Sequence, residues 1–458
     1  LMSKRYGTSL FLFRRDLRLE DNAGLNAALR QSERVIAGFV FDPRQIEPHP
    51  YQSQPGLQFM LEALLDLQAQ CQAQGVRLQL FQGSPEQVIV DLRQRIAVQA
   101  VFVNRDYTPF SRQRDHALKQ CCLQQQMDFH EIADALLNEP ETLVKADGAP
   151  YQVFTPFYNR ARQIPVALPQ AMAEGRLMGE PVAEACNLLE TLKKPHQYPL
   201  TGGRQAALAR LQALAGCHDY SQQRDFPALS ATSDLSAYLK FGCCSIREAY
   251  YTVVETLGAE HPLLRQFYWR DFFSHIGFHF PRVFGHAFNE RYDAIVWRND
   301  LDEFKAWAEG RTGFPIVDAG MRQLNATGCM HNRVRMIVAS FLVKDLQISW
   351  RWGERYFAQR LLDYDPCLNN GNWQWAASTG CDAQPYFRIF NPWLQQKKFD
   401  ADAGYIKTWV PELRAYSAAV IHNWHQQPLA GDYPRPMLEH GLRSQQTKEL
   451  FQQTAVPS

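Results

Sequence analysis

Between residues 9 and 132, short runs rich in β-branched and aromatic residues alternate with stretches whose apolar positions return every three or four residues. The runs predict strands at 9–13, 35–41, 77–81 and 100–104, and the stretches predict helices near 22–31, 56–74 and 85–95. Strands separated by helices in this order make βαβ units, hence a mostly parallel sheet covered by helices, with ligands expected beyond the carboxyl ends of the strands. No Gly-x-Gly-x-x-Gly follows any run, so the sequence offers this sheet no dinucleotide fingerprint. Residues 139–205 then gather Pro140, Pro150, Pro165, Pro169, Pro181, Pro195 and Pro199 with Gly202 and Gly203, the composition of a connector. Beyond it, strand patterns nearly vanish. A helix is expected over 328–346, where Met330, Val334, Ile337, Val338 and Phe341 recur at helical spacing while Asn332, Arg335 and Met336 share another face. The organisation expected is an α/β domain over 1–135, a connector over 136–205 and a larger all-α domain over 206–458, since 458 residues exceed what one hydrophobic core holds.

Composition narrows compartment and partners. The formal net charge is +1, so any affinity for nucleic acid must come from a local basic face. Ten cysteines include no Cys-x-x-Cys, and the Cys121-Cys122 and Cys243-Cys244 doublets suit neither zinc nor a disulfide framework, which points to a reducing interior. The apolar run at 9–13 is too short for a signal peptide and is cut by Arg14, Arg15 and Asp16, and no stretch reaches membrane-spanning length. All ten tryptophans lie after residue 268. Indole is large, apolar and readily oxidised, so this supply serves either an aromatic core or a region that handles planar rings and electrons.

Several clusters carry candidate chemistry. Arg335 on an otherwise apolar helix needs an anion, which Asp363 or Asp365 can supply; a structural ion pair meets the same need. The Asp-x-Asp spacing lacks the glycine and distal glutamate of a calcium loop, so no metal is expected there. Residues 369–372, Asn-Asn-Gly-Asn, follow Pro366 and read as a turn with helix-capping amides; an amide beside a redox ring can also exchange a hydrogen bond as the ring gains an electron and a proton. Thr232, Ser233 and Ser236 stand around Asp234 and Leu235 ahead of a helical stretch, the pattern of an N-cap whose backbone N–H groups can hold a phosphate. His275 and His279 have a zinc-compatible spacing, yet Ile276 occupies the place of a metalloprotease glutamate, so core or surface histidines are expected.

Together these pieces stand in the order and spacing of the photolyase and cryptochrome family, which the chain resembles from residue 11 to about residue 413. The likeness rests on residues 11–22, 41–44 and 104–107, and more strongly on 310–324, 330–336, 369–380 and 386–392. It is most similar to bacterial-type class I members that split cyclobutane pyrimidine dimers. The resemblance implies a Rossmann-like parallel sheet in the α/β antenna domain and an all-α domain holding non-covalent FAD bent into a U. The activity implied is that of a carbon–carbon lyase on UV-damaged DNA, in which excited reduced FAD lends an electron to a flipped-out dimer and recovers it after the ring bonds break. Tyr220, Thr232, Ser233, Asp234, Leu235 and Ser236 match positions at the ribityl and diphosphate part, Arg270 matches another flavin-site position, and Asp363, Tyr364 and Asp365 match the region under flavin and adenosine, with Arg335 as counter-ion. Asn369 matches the residue facing flavin N5, and Trp373, Trp350 and Trp297 match an electron-transfer chain to the surface. Arg224, Gln266, Trp269, Asn332, Arg333, Met336 and Trp375 match dimer-facing positions, while Arg388, Lys397 and Lys398 are candidates for phosphate contacts. Photolyases are base-flipping enzymes; two fused thymines stack poorly, so extrusion costs less, and flat indoles can receive them.

Two positions depart from the pattern. Gln266 stands where dimer-splitting members carry a glutamate, and an amide cannot supply a proton. Members acting on (6-4) photoproducts share that glutamine but have histidine at the position of Asn332 and lack the Trp-Gln-Trp of 373–375. Cyclobutane dimer repair is therefore the reading, with (6-4) repair and blue-light signalling without repair as alternatives. Thr-Pro-Phe-Ser at 108–111 replaces the carboxylate of folate-using relatives, which leaves open a folate, a deazaflavin, another flavin or no second chromophore at all. A cytoplasmic monomer without membrane or metal, nucleoid-associated when on damaged DNA, completes the expectation.

Overall fold

The structure, a computed structural model, describes residues 4–184, 186–428 and 431–455. Its chain divides into two compact units, the first running through residue 217 and resuming over 233–279, the second formed by 218–232 and the chain from 280 onward.

In the first unit, β1 (Tyr6–Phe13), β2 (Ser32–Phe41), β3 (Gln79–Gln82), β4 (Ala100–Asn104) and β5 (Asp128–Ile132) form one parallel sheet in the order β3-β2-β1-β4-β5. The crossovers carry α1 (Ala23–Gln31), α2 (Gln54–Ala73), α3 (Pro85–Arg95) and α4 (Pro109–Gln124). Each starts under a side-chain cap, from Asn22, Ser53, Ser84 and Thr108 respectively, and the last three place proline in the first turn, where its missing N–H costs nothing. β1 and β4 are almost wholly buried, as strands covered on both faces must be. Only β5 had no apolar run to announce it: its Asp-Phe-His-Glu-Ile lies half-buried at the sheet edge.

Further helices of this unit are α5 (Phe154–Ala161), α6 (Ile246–Leu257) and α7 (Pro262–His279). A buried charge network explains why α6 belongs with the sheet. Arg18, 1% exposed, donates to both oxygens of Asp134 at 2.7 and 2.9 Å, and Arg247 from α6 reaches Asp134 at 2.7 Å and Asp21 at 2.9 Å. Breaking either side would leave an uncompensated buried charge.

The second unit is helical. Its site-bearing helices are α8 (Pro315–Thr327), α9 (Asn332–Ser340), α10 (Trp350–Arg360) and α11 (Pro366–Ala377), followed late in the chain by α12 (His440–Ala455). The single helix expected over 328–346 is broken: Gly328, at φ 70°, closes α8 in the left-handed conformation, His331 caps α9, and residues 341–345 widen into a π turn. Val334, Ile337, Val338 and Phe341 nevertheless enter one core with the buried Trp307, Trp350, Trp373, Trp393 and Trp424. Among the described residues, no helix is long and apolar enough to cross a membrane.

Candidate functional site

The second unit's site grows from the junction of α9, α10 and α11. Backbone N–H of Leu362 donates to Gly328 O at 2.8 Å, which draws the chain leaving α10 against the start of the α9 segment. There the Arg335 guanidinium meets both oxygens of Asp363, at 3.1 and 3.2 Å, while its Nε donates to Met330 O at 2.8 Å. Of the two carboxylates that could have paired with it, Asp363 does so. Asp365 instead caps α11, its Oδ1 accepting from Cys367 N and Leu368 N at 3.0 and 3.2 Å. Because Asp365 and Pro366 already start the helix, the turn expected at 369–372 is α-helix, and its amides project from the first turns of α11.

Asn369 is nearly buried, and its Nδ2 donates to the backbone carbonyl of Glu354 at 2.9 Å. A carbonyl can only accept, so the amide orientation is fixed and Oδ1 is turned away as an acceptor, without a hydrogen-bond partner among the described residues. Asn370 donates to Glu354 Oε1 and to Val283 O, both at 2.8 Å. Burial pushes the Glu354 carboxyl up to about 7, with the Asn370 hydrogen bond and the Arg351 charge opposing the rise. Nothing in the sequence pattern marked Glu354; a carboxylate one turn past Trp350 on an amphipathic helix reads as surface.

The three candidate electron-transfer tryptophans sit in the same unit, the first two buried and the last partly exposed. Trp373 and Trp350 are 2% and 1% exposed, and Trp297 is half-buried. Trp373 packs on Gly353, one turn beyond Trp350, so closely that a Cβ there would lie 2.1 Å from the indole. Arg298 N donates to Gln347 O at 2.9 Å, which ties the Trp297 segment to the one leading into Trp350. The Arg351 guanidinium lies 4.8 Å over the Trp350 ring. Trp307, unmarked by the sequence reading, stands 6.2 Å from Trp373 at 73° and is fully buried.

The unit's dimer-facing positions also gather. Asn332 and Met336 touch at 3.9 Å, Arg333 pairs with Asp225 at 2.9 Å beside Arg224, and Arg224 lies over the Tyr220 ring at 5.6 Å. His331, pushed down to about 4 by burial, is neutral among these arginines. Trp375 is half-buried against the core, and Arg388, Lys397 and Lys398 are exposed.

Within the first unit, α7 carries Gln266, Trp269 and Arg270. Arg270 donates to Ala135 O at 2.6 Å, and Trp269 stacks on Phe154. Of the segment 232–236, Leu235 occupies the cap position of a five-residue helix, where its apolar side chain makes no capping bond. At the carboxyl ends of β1, β2 and β4, Arg14 pairs with Asp115, Arg15 with Asp106 at 3.3 Å, and Arg44 and Arg114 lie 5.4 and 5.9 Å from the Phe110 ring. Thr108 caps α4 by accepting from Ser111 N, and the Ser111 hydroxyl donates to Asp106 at 3.0 Å. His279 bonds Pro140 O at 2.9 Å, and the buried His275 ring lies 4.5 Å from that of His279.

Residues 9–174 match the DNA photolyase family model, and residues 263–453 match the FAD binding domain of DNA photolyase. The deoxyribodipyrimidine photo-lyase of Synechococcus sp. is 39% identical, over 97% of this chain and 96% of its own length. Among solved structures, the archaeal photolyase from Sulfolobus tokodaii with two FAD molecules is 43% identical, with a TM-score of 0.89 over 97% of this chain and 100% of that one. A Synechocystis sp. cryptochrome is 28% identical, with a TM-score of 0.89 over 98% and 100% of the two chains. Both halves of the family pattern are thus present at near full length, and the chain belongs to the DNA photolyase family of FAD-binding lyases.

Proposed function

We propose that this protein repairs cyclobutane pyrimidine dimers in DNA under blue light. Asn369 carries the reading: an amide locked by the Glu354 carbonyl presents its Oδ1 as an acceptor, which suits a ring nitrogen that holds a proton when reduced. When bound, FAD supplies a light-excitable electron donor for splitting the dimer. The donor set fits such a group, with Arg335, Asp363, Tyr364, Asp365, Tyr220 and Thr232 as its holders in the second unit; the first unit's Ser233, Asp234, Leu235, Ser236 and Arg270 keep the flavin assignment given by the resemblance.

Trp373, Trp350 and Trp297 relay electrons inward from solvent, entering at the partly exposed Trp297 and passing to the two buried indoles. The Arg351 guanidinium above Trp350, itself paired with Asp293, raises the cost of positive charge on that indole. Arg224, Asn332, Arg333, Met336 and Trp375 receive the damaged bases, the first unit's Gln266 and Trp269 keep the dimer-facing assignment given by the resemblance, and the exposed Arg388, Lys397 and Lys398 hold backbone phosphates. Gln266 orients a base through its amide and delivers no proton. A second chromophore belongs to the first unit, beside Phe110 and its two arginines; the two FAD molecules of the Sulfolobus tokodaii relative favour a flavin there over folate.

Irradiated oligothymidylate, mixed with the reduced protein, should lose its cyclobutane dimers under blue light and keep them in the dark. Persistence of the dimers with FAD fully bound and reduced overturns the assignment, and repair of (6-4) products instead would move it to the other lesion.

A further inference from the structure

Phe154 lies in the stretch whose prolines and glycines read as connector, yet it is 1% exposed on α5 and faces α7. Its ring stacks on the Trp269 indole with centroids 3.6 Å apart and planes 6° from parallel. Phe272 closes on the edges of both rings, 5.7 Å from each at 79° and 83°, and Phe273 lies 5.5 Å from Trp269. The Arg265 guanidinium, one turn before Trp269, sits 5.2 Å from the Phe154 ring. One face of the indole is therefore occupied by a ring that cannot itself swing, because its own burial is complete. Trp269 remains half-buried, so it has surface left for a second flat partner.

We infer that Phe154 is a positioning residue for damaged-base recognition, holding the Trp269 indole flat and immobile so that its remaining surface meets the extruded base in a ready-made plane. The inference rests on the assignment of Trp269 to the dimer-facing wall. An indole on a half-exposed helix face ordinarily samples several rotamers, and binding must freeze one of them. Stacking one face of it beforehand removes that loss from the binding step, so the benefit falls on partners that stack and not on those that touch only phosphates. Ring geometry is what Phe154 contributes, since a flexible side chain of similar volume would fill the space without fixing a plane.

The test is a double-mutant cycle on the FAD-loaded protein, reading Kd for a dimer-containing and for an undamaged oligonucleotide of one sequence. Phe154→Met should weaken dimer binding roughly three- to tenfold, the range of an aromatic pair, with undamaged DNA bound as before, and Phe154→Tyr should restore it. In a Trp269→Ala background, Phe154→Met should have no further effect on discrimination. Additive effects of the two substitutions, or equal losses on damaged and undamaged DNA, overturn the inference. If Trp269→Ala lowers dimer affinity and Phe154→Met does not, Phe154 alone loses its role; if Trp269→Ala is itself silent, the wall assignment falls and this inference with it. Phe154→Leu takes the place of Phe154→Met in the same cycle if the methionine variant does not fold.

Discussion

Substituting Glu354 by glutamine tests the electrostatics beneath Asn369. The carboxyl is 5% exposed, accepts from Asn370 at 2.8 Å, and is pushed by burial from an ordinary 4.5 to about 7. Unfolded, it ionises near 4.5; folded, it keeps its proton until about 7. The folded state therefore binds more protons across that window, and stability that is fully present below pH 4.5 is lost as pH rises through 7. With each pKa unit equivalent to about 1.4 kcal/mol, the loss amounts to about 3 kcal/mol. Glutamine has the same shape, can still accept from Asn370 through Oε1, and does not ionise. Glu354→Gln should therefore match the parent in acid and exceed its stability by up to about 3 kcal/mol at mildly alkaline pH. Asp271 and Asp345, raised by burial to about 7 and about 6, slope the same way in both proteins and cancel in the difference. Urea unfolding of the two FAD-loaded proteins, followed by circular dichroism from acid to alkaline pH, gives the two curves. Curves that stay parallel would refute the claim that this carboxyl is neutral inside the folded protein.

Gly353→Ala puts a methyl 2.1 Å from the Trp373 ring and 2.7 Å from Leu342, so overpacking of about 1–3 kcal/mol should outweigh the gain in helix propensity, visible as a lower Tm and slower light-driven reduction of FAD. Trp350→Phe keeps a buried aromatic ring but removes an oxidisable one; photoreduction should be nearly lost while dimer splitting by chemically reduced protein continues, and unchanged photoreduction would show that the electrons travel elsewhere. Trp375→Ala should weaken dimer affinity by about 1–3 kcal/mol for the lost stacking wall, read by oligonucleotide binding, and leave photoreduction intact. Arg335→Met leaves Asp363 without its cation, so FAD retention through gel filtration should fall, whereas Arg335→Lys, with one compact charge in place of a bidentate fork, should restore it only in part.

How far the sequence could be read depended on whether a residue's task imposes a period or a partner. The parallel sheet was legible because strands buried on both faces carry apolar runs, as β1 does over 10–13 and β4 over 100–103; β5 escaped because an edge strand is under no such demand. The Arg335 anion was foreseeable in kind, since a cation on an apolar face needs one, yet the choice between Asp363 and Asp365 turned on a capping bond that spacing does not encode. Tertiary chemistry hid most completely where a side chain works through a backbone atom. Glu354 holds Asn369 by its carbonyl, an interaction any residue type could make, and only the bond that Asn370 donates to its buried carboxyl draws on the side chain. Phe154 was hidden for a related reason. Proline and glycine on either side of it mark where regular structure stops, but composition says nothing of what an isolated ring between them packs on, and here that ring backs Trp269. Sequence therefore disclosed the groups expected to touch the ligands, whose chemistry is particular, better than the groups that hold them still, whose chemistry is ordinary and whose placement alone is special.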